Sequence, residues 1–151
     1  MKTKPIYKSN EGKIPSKVSE ADVLYILETQ DINYDYLRLM KESTSFGDQE
    51  ISYWLNVSPR TLQNYKTKKT EFKENLKEHL IHLISLFNHG VQVFGDQKQF
   101  EEWLGTPNFF FDSFPKPFQV TKSTPLSYLN KISGIRFVDD RLTAMEFGDN
   151  V

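Results

Sequence analysis

The chain has 151 residues, no cysteine, and 19 basic against 20 acidic residues, for a formal net charge of -1. Without cysteine it can form no disulfide, thiolate nucleophile or cysteine-ligated zinc site, and a net charge near zero argues against a globally basic nucleic-acid-binding protein. No apolar run has the length of a signal-peptide core or a membrane span, so we expect a cytoplasmic protein without membrane contact.

The N-terminal region predicts a mobile arm followed by two helices. Residues 1–18 are polar and lack periodicity, which is typical of a mobile arm. Ser19, with Asp22 three residues later, indicates a helix start, and an apolar helical face follows it. Residues 34–43 place apolar side chains at three-residue spacing and predict a second helix, after which FGD at 46–48 provides a turn and a cap.

Residues 48–65, DQEISYWLNVSPRTLQNY, match the requirements of a helix-turn-helix. Two short helices that cross steeply need a small residue at their contact and a turn residue that tolerates positive φ. Ser52 provides the small contact, and Asn56 occupies the turn, where asparagine tolerates left-handed φ better than most residues. Ser58 and Pro59 cap and open the second helix. The predicted buried residues are Ile51, Leu55, Val57 and Leu62.

The second helix of this pair leaves a polar face outward, inside a segment, 58–90, with six basic and three acidic residues. Arg, Gln and Asn suit paired hydrogen bonds with base edges, whereas hydroxyls and lysines suit phosphates. The predicted DNA-binding residues are Ser58, Arg60, Thr61, Gln63, Asn64 and Lys66. Such a helix pair also occurs as a plain packing unit, and useful DNA affinity would need a dimer.

One long amphipathic helix follows. Its apolar residues recur at steps of three and four over about five turns. They are Leu76, Leu80, Leu83, Ile84, Phe87, Val91 and Phe94. Gly95 ends this helix, and Asp96 with Gln99 predicts the start of a short helix. Its predicted inner face is Phe100, Trp103 and Leu104, of which Trp103 and Leu104 are expected to be largely buried against the long helix.

The rest of the chain is a phenylalanine-rich stretch and two further helices. Residues 108–120, NFFFDSFPKPFQV, hold five phenylalanines and two prolines, which exclude a regular helix or a central strand. Their rings either close the C-terminal core or await a partner. Thr124 and Pro125 open the helix LSYLNKIS, which we expect Gly134 to stop, and a last helix covers 135–147. No segment alternates like a strand, so the predicted class is all-α.

The C-terminal half resembles the toxin-binding domain of the Xre/MbcA/ParS-type antitoxins. That family shows a pattern of FG, WL and PN followed by PL and spaced apolar and glycine positions, and this chain reads VFGDQKQFEEWLGTPN and TPLSYLNKISGIRFVDDRLTAMEFGD. The matching positions are Phe94, Gly95, Phe100, Trp103, Leu104, Pro107, Asn108, Pro125, Leu126, Leu129, Gly134, Val138, Leu142 and Gly148. An N-terminal Xre-like helix-turn-helix linked by one long helix is also similar to the family.

The resemblance implies an arm (1–18), a helix-turn-helix domain (19–75), a long connecting helix (76–95) and a toxin-binding domain (96–151). One departure is clear. In the family the gap between PN and PL is short and usually carries a glycine, whereas sixteen residues without glycine separate Asn108 from Pro125 here. The extra residues fall on the phenylalanine-rich stretch, so no contacts there are carried over from the family.

The resemblance also implies an antitoxin of a type II toxin–antitoxin pair. Such antitoxins bind their toxin, commonly a RES-domain enzyme that consumes NAD, through the C-terminal domain, and many repress their own operon through the N-terminal domain. We therefore expect a non-enzymatic protein without a cofactor, whose partners are a cognate toxin, operator DNA and a second copy of itself. The alternative is a stand-alone helix-turn-helix transcription regulator whose C-terminal domain dimerises or senses a ligand.

The last helix supplies most of the expected toxin contacts. Ile135, Val138, Leu142 and Met145 face inward at helical spacing, which leaves a charged face to a partner. An enzyme that binds anionic NAD is expected to have a cationic pocket, to which an acidic face is complementary. The predicted toxin-binding residues are Phe114, Phe118, Arg136, Asp139, Asp140, Thr143, Glu146, Asp149, Asn150 and Val151.

Two other patterns favour surface roles. His79 and His82 lie one turn apart, a spacing that two metal ligands can use, but they have no obvious third ligand and lie beside the apolar stripe, so we expect solvated histidines. Asp139 and Asp140 are adjacent on a helix and point apart, which does not suit a catalytic acid pair; they are either partner contacts or solvated. The sequence has no phosphate loop, triad or metal signature, so an enzyme is the most remote interpretation.

Overall fold

The structure of the protein is a computed structural model that describes residues 14–107 and 124–148. These residues form seven α-helices and a short 3₁₀ turn, with no strand among them, so the predicted all-α class is confirmed. The helices are α1 (Glu20–Thr29), α2 (Tyr34–Ser43), α3 (Asp48–Leu55), α4 (Pro59–Lys68), α5 (Glu74–Phe94), α6 (Gln97–Leu104) and α7 (Ile132–Glu146), and the 3₁₀ turn is Pro125–Tyr128. None of these helices combines the length and apolarity needed to cross a membrane.

Helix α5 is the centre of the fold. It packs mainly against α7 and also contacts α1, α2, α3 and α6. All residues from 79 to 90 are buried, because α5 carries apolar side chains such as Ile81 and Leu86 outside the predicted stripe. Polar residues such as His82, Ser85 and His89 are buried with them. The predicted stripe is therefore only part of what α5 buries.

A row of aromatic rings holds α3, α5 and α6 together. The ring centroids of Phe46 and Trp54 lie 5.0 Å apart, those of Trp54 and Phe87 5.9 Å, and those of Phe87 and Phe100 5.3 Å. Trp54, Phe87 and Phe100 are each at most 1% exposed. Aromatic pairs at these separations add about 0.5–1.5 kcal/mol each beyond the burial of their area. The row therefore ties the helix-turn-helix segment to the helices that follow it.

Trp103 lies at the edge of this core. It is only partly buried, and its ring centroid is 5.6 Å from that of Phe94 and 6.2 Å from that of Phe100. The predicted packing of Trp103 against the long helix is confirmed, but Trp103 is less buried than Phe100, which lies directly against α5. Leu104 is fully buried, as predicted.

Three helix-end signals in the sequence are confirmed by the structure. Ser19 and Asp22 cap α1 reciprocally, each side chain accepting from the other residue's N–H. The Asp96 carboxylate accepts from the Gln99 N–H at 2.7 Å and starts α6. Gly95 ends α5 with φ of 86°, a left-handed conformation that favours glycine.

Residues 14–18 belong to the packed structure. Ile14 is fully buried, and its carbonyl oxygen accepts a hydrogen bond from the Asn88 side chain at 3.1 Å. Lys17 Nζ donates to Thr143 Oγ1 at 2.9 Å. The expectation of a mobile arm therefore does not hold for 14–18, because Ile14 lies in the core and Val18 packs against it. The remainder of the predicted arm, 1–13, lies outside the described residues.

The prediction that Gly134 stops a helix is wrong. The segment after Thr124 forms only the 3₁₀ turn, and α7 begins at Ile132, so Gly134 lies inside the first turn of α7. A Cβ atom on Gly134 would lie 1.9 Å from the Tyr128 carbonyl oxygen. Glycine is required here for close approach of the 3₁₀ turn to α7.

The predicted inner face of the last helix is confirmed. Ile135, Val138 and Leu142 are at most 2% exposed, and Met145 packs against the core from its edge. Residues 108–123 and 149–151 lie outside the described residues. The toxin contacts expected there, Phe114, Phe118, Asp149, Asn150 and Val151, stay predictions, as does the division of the chain into domains.

Candidate functional site

Helices α3 and α4 are joined by a short turn around one left-handed residue. Asn56 has φ of 60° and ψ of 39° and ends α3, as the sequence predicts. The Val57 N–H donates to the Ser52 carbonyl at 3.0 Å, and Ser52 itself is 2% exposed. The chain therefore turns from α3 to α4 within three residues, with a small side chain at the contact.

Helix α4 rests on the core by one narrow face. Leu62 is its one fully buried residue within the described structure, and Tyr65 packs its ring edge-on against Phe72 with centroids 4.7 Å apart. The Ser58 hydroxyl accepts from the Thr61 N–H at 3.0 Å and starts the helix with Pro59 at its first position. The rest of α4 faces outward.

The six predicted DNA-binding residues all lie on the start and outer side of α4. Ser58, Arg60, Gln63 and Lys66 are exposed, while Thr61 and Asn64 are partly buried. Within the described structure, the side chains of Arg60, Gln63 and Asn64 make no hydrogen bond or ion pair, so they are available to a ligand. The Ser58 and Thr61 hydroxyls are already 2.9 Å apart and bonded to each other.

The surface around α4 is basic. Residues 51–70 contain Arg60, Lys66, Lys68 and Lys69 and no acidic residue. All four are exposed, and none has an ion pair with any part of the chain that the structure describes. Unneutralised cations beside free amide and guanidinium groups are the combination that phosphates and base edges require.

Helix α7 shares its predicted outer face between solvent and α5. Arg136 and Asp140 are exposed, and Arg136 lies 3.6 Å from Glu20. Thr143 is partly buried and donates to the Asp139 carbonyl at 3.1 Å. Asp139 and Glu146, which the sequence assigns to the toxin, instead point at a buried histidine on α5. Both carboxylates are therefore bonded within the chain, and their assignment to the toxin stays a prediction.

That histidine is His89, which is 1% exposed. Its Nδ1 lies 2.6 Å from Asp139 and its Nε2 lies 2.7 Å from Glu146. With both carboxylates ionised, each ring nitrogen donates to one of them, and this arrangement favours the cationic form of the ring. Burial acts to lower the pKa of His89, but the hydrogen bonds and charges of the two carboxylates outweigh it and raise the pKa above its ordinary value.

His79 and His82 are buried, so the expectation of solvated histidines is wrong. They are 7% and 3% exposed, because α5 is covered by its neighbours on every side. His79 Nε2 donates to the Leu129 carbonyl at 3.0 Å, whereas His82 Nε2 has no hydrogen-bond partner among the described residues. Burial lowers the pKa of both, and that of His82 falls to about 4 with the help of Arg136 and His79.

These histidines form no metal site within the described structure, where no group of three or more His, Cys, Asp and Glu side chains could hold an ion. His89 was missed in the sequence because its two partners lie 50 and 57 residues away. No local spacing signals such a contact. The outward face of α4, in contrast, follows from local polarity.

Comparison of the chain with models of protein families, with curated proteins and with solved structures finds no match. The resemblance to antitoxins therefore rests on the sequence pattern. Most of its apolar positions lie in the core, where Phe100, Leu104, Leu129, Val138 and Leu142 are at most 1% exposed. Such positions describe packing, so the side chains at the surface must carry any functional argument.

Proposed function

We propose that this protein is a non-enzymatic antitoxin that binds operator DNA through α4 and neutralises a cognate, RES-type toxin through its C-terminal region. The observation that carries the proposal is the three-residue turn at left-handed Asn56 between α3 and α4, followed by Arg60 and Gln63 on the exposed face of α4 and by partly buried Asn64 beside them. The toxin, its NAD-consuming chemistry and the cytoplasmic location enter the proposal from the sequence resemblance.

The DNA-binding part requires two copies of the chain. One short helix contacts only a few base pairs in a major groove, and single modules of this size bury little surface. A homodimer places two α4 helices on half-sites about one helical turn apart, which multiplies the specificity of each. We therefore propose a dimer on a partly palindromic operator.

Replacing Arg60, Gln63 and Asn64 together with alanine should abolish specific DNA binding and leave the fold intact. Each good bidentate contact is worth about 1–3 kcal/mol, so the triple variant should bind at least about 100-fold more weakly. Mobility shifts with the upstream region of the gene measure this effect. The matched control is Lys98→Ala with Glu102→Ala, two exposed residues on α6, which should bind like the wild type. Equal binding by the triple variant and the wild type would remove α4 from DNA recognition.

The toxin-binding part is best placed on a stripe along α7. Arg136, Asp140, Thr143 and Phe147 follow one another at helical spacing, and Phe147 is 85% exposed. Arg136, Asp140 and Thr143 are among the toxin-binding residues predicted from the sequence, and Phe147 adds an exposed aromatic ring beside them. Charged residues beside an exposed aromatic ring are a common composition of interface rims and centres.

Reversing the charges of this stripe, with Arg136→Glu and Asp140→Lys, should prevent neutralisation while the chain stays folded. Both side chains are exposed, so the cost in stability is small, whereas like charges across an interface oppose binding. Growth of cells that co-express the adjacent gene product, with a pull-down, measures the effect, and Glu102→Lys on α6 is the control. Full rescue by the reversed variant would exclude the stripe as the contact.

The alternative is a stand-alone helix-turn-helix regulator, and one observation favours it. Asp139 and Glu146 are used inside the molecule by His89, which leaves less charge for a toxin than the sequence suggests. The two functions differ in the co-expression experiment. If the product of the neighbouring gene is not toxic, the antitoxin proposal fails and DNA binding alone remains.

A further inference from the structure

We infer that a groove beside α4 binds a phosphate group and that the DNA backbone supplies it; this inference rests on the proposed DNA binding and extends it. The groove has a volume of about 510 Å³ and lies between α4 and the first turns of α5 and α7. Its polar lining residues are Asn56, Thr61, Tyr65, Lys73, Asn75, His79, Asn130 and Lys131.

The charge of the groove selects for an anion. Lys73 and Lys131 line it, both are exposed, and no acidic side chain is among its lining residues. Neither lysine has an ion pair within the described structure. The other polar lining groups are mostly amides and hydroxyls, which donate hydrogen bonds to phosphate oxygens. Asn56 and His79 already donate to backbone carbonyls, and the Thr61 hydroxyl is bonded to Ser58. A phosphate group therefore finds two cations without an ion pair, together with the side chains of Tyr65, Asn75 and Asn130 as neutral donors.

A second groove of similar size is lined mainly by acidic residues, so the basic lining is not shared by both grooves near α4. It has a volume of about 540 Å³ and lies at the other end of α4, near the loop between α1 and α2. Asp31, Asp35 and Glu71 line it, with Lys69 as its one cation. An excess of carboxylates repels phosphate, so this second groove serves as an internal control.

The basic groove is placed where a DNA strand would pass. Thr61 and Tyr65 line it from α4, while Arg60 and Gln63 lie on the exposed face of the same helix. A helix in the major groove has a phosphate backbone on each side. The Asn56 side chain donates to the Asn130 carbonyl at 2.8 Å and holds the start of α7 beside the turn. Lys131, from the C-terminal part of the chain, is thereby fixed next to the proposed DNA surface.

The first test measures how DNA binding depends on salt in the variant Lys73→Gln with Lys131→Gln. The slope of the logarithm of affinity against the logarithm of salt concentration should be less steep than that of the wild type by about one to two, because about one cation–phosphate contact is lost per lysine. Affinity at low salt should fall about tenfold or more, whereas the control Lys98→Gln should match the wild type. An unchanged slope would exclude the DNA backbone as the source of the phosphate.

The second test titrates the free protein with inorganic phosphate and follows backbone amide shifts by NMR. Shifts are expected at residues 73–76 and 130–133 in the wild type, should be absent from the double variant, and should be absent at 31–35 in the acidic groove. If the wild type binds no DNA, the proposed DNA function fails, and this titration alone decides whether the groove binds phosphate. Phosphate shifts with an unchanged salt slope would assign the groove to a free phosphate compound. No shifts together with an unchanged slope, or with no DNA binding by the wild type, would overturn the inference.

Discussion

Replacing Gly134 with alanine is expected to lower the free energy of unfolding by about 3 kcal/mol, although alanine favours a helix interior by about 1 kcal/mol. The added Cβ atom would lie 1.9 Å from the Tyr128 carbonyl oxygen and 2.9 Å from its carbonyl carbon. Both are backbone atoms, which no rotamer change can move aside. The 3₁₀ turn must therefore leave α7, and the core contact of Leu129 behind it loosens.

Thermal denaturation measures this effect, and a fall in Tm of about 10 °C is expected for a chain of this size. Gly105→Ala is the matched control, because its nearest non-local atom would lie 3.7 Å from the new Cβ and its φ of -91° suits any residue. That variant should change stability by less than about 0.5 kcal/mol. If Gly134→Ala melts with the control, the 3₁₀ turn is not seated on α7 as described.

The role of Gly134 could not be predicted from the sequence. A glycine after LSYLNKIS has the local pattern of a helix end, and the pattern alone cannot distinguish a left-handed residue from a close approach. The predicted helix ends that the structure confirms have a local cause. They are the start of α1 at Ser19 with Asp22, the end of α3 at Asn56 and the end of α5 at Gly95. Each is decided by neighbours within about four residues, which the sequence contains.

The candidate sites divide in the same way. The outer face of α4 could be predicted because its side chains are polar and its single buried residue, Leu62, is apolar. The outer face of α7 could be predicted only in part, because Asp139 and Glu146 form hydrogen bonds with His89 of α5. Such a pairing depends on how two helices dock, which no local pattern encodes. The basic groove beside α4 likewise joins residues 55–79 to residues 130–132, which are distant in sequence.

The buried histidines of α5 are expected to give folding stability opposite dependences on pH. The pKa of His82 in the folded protein is lowered to about 4, against about 6.5 in the unfolded chain. Between these values the unfolded chain binds more protons, so stability falls as pH drops, by about 3 kcal/mol at pH 4. Burial is the first cause, and Arg136 and His79 add to it, while Asp139 acts weakly in the opposite sense. His79, also lowered, contributes with the same sign.

His89 has the reverse sign. Its folded pKa is raised by Asp139 and Glu146 in spite of burial, so its contribution is fully present below about pH 6.5 and is lost as pH rises through the folded pKa. Removing the ring leaves two carboxylates without their cation. The Asp139 and Glu146 side chains are 22% and 36% exposed, so water partly solvates them when the ring is removed. We therefore expect the free energy of unfolding to fall by about 2–3 kcal/mol, which is less than for a fully buried pair.

Urea denaturation of His82→Leu, His89→Leu and the wild type between pH 4 and 9 tests both signs at once. His82 Nε2 has no partner in the described structure, so leucine of similar volume leaves no group unsatisfied, and His82→Leu should match the wild type at pH 8 and exceed it increasingly below pH 6.5. His89→Leu should be weakest relative to the wild type at pH 5–6, and the difference should narrow toward pH 9. Parallel curves for all three proteins would mean that neither ring differs in pKa between the folded and unfolded chain, and that α5 and α7 are not joined by a buried imidazolium.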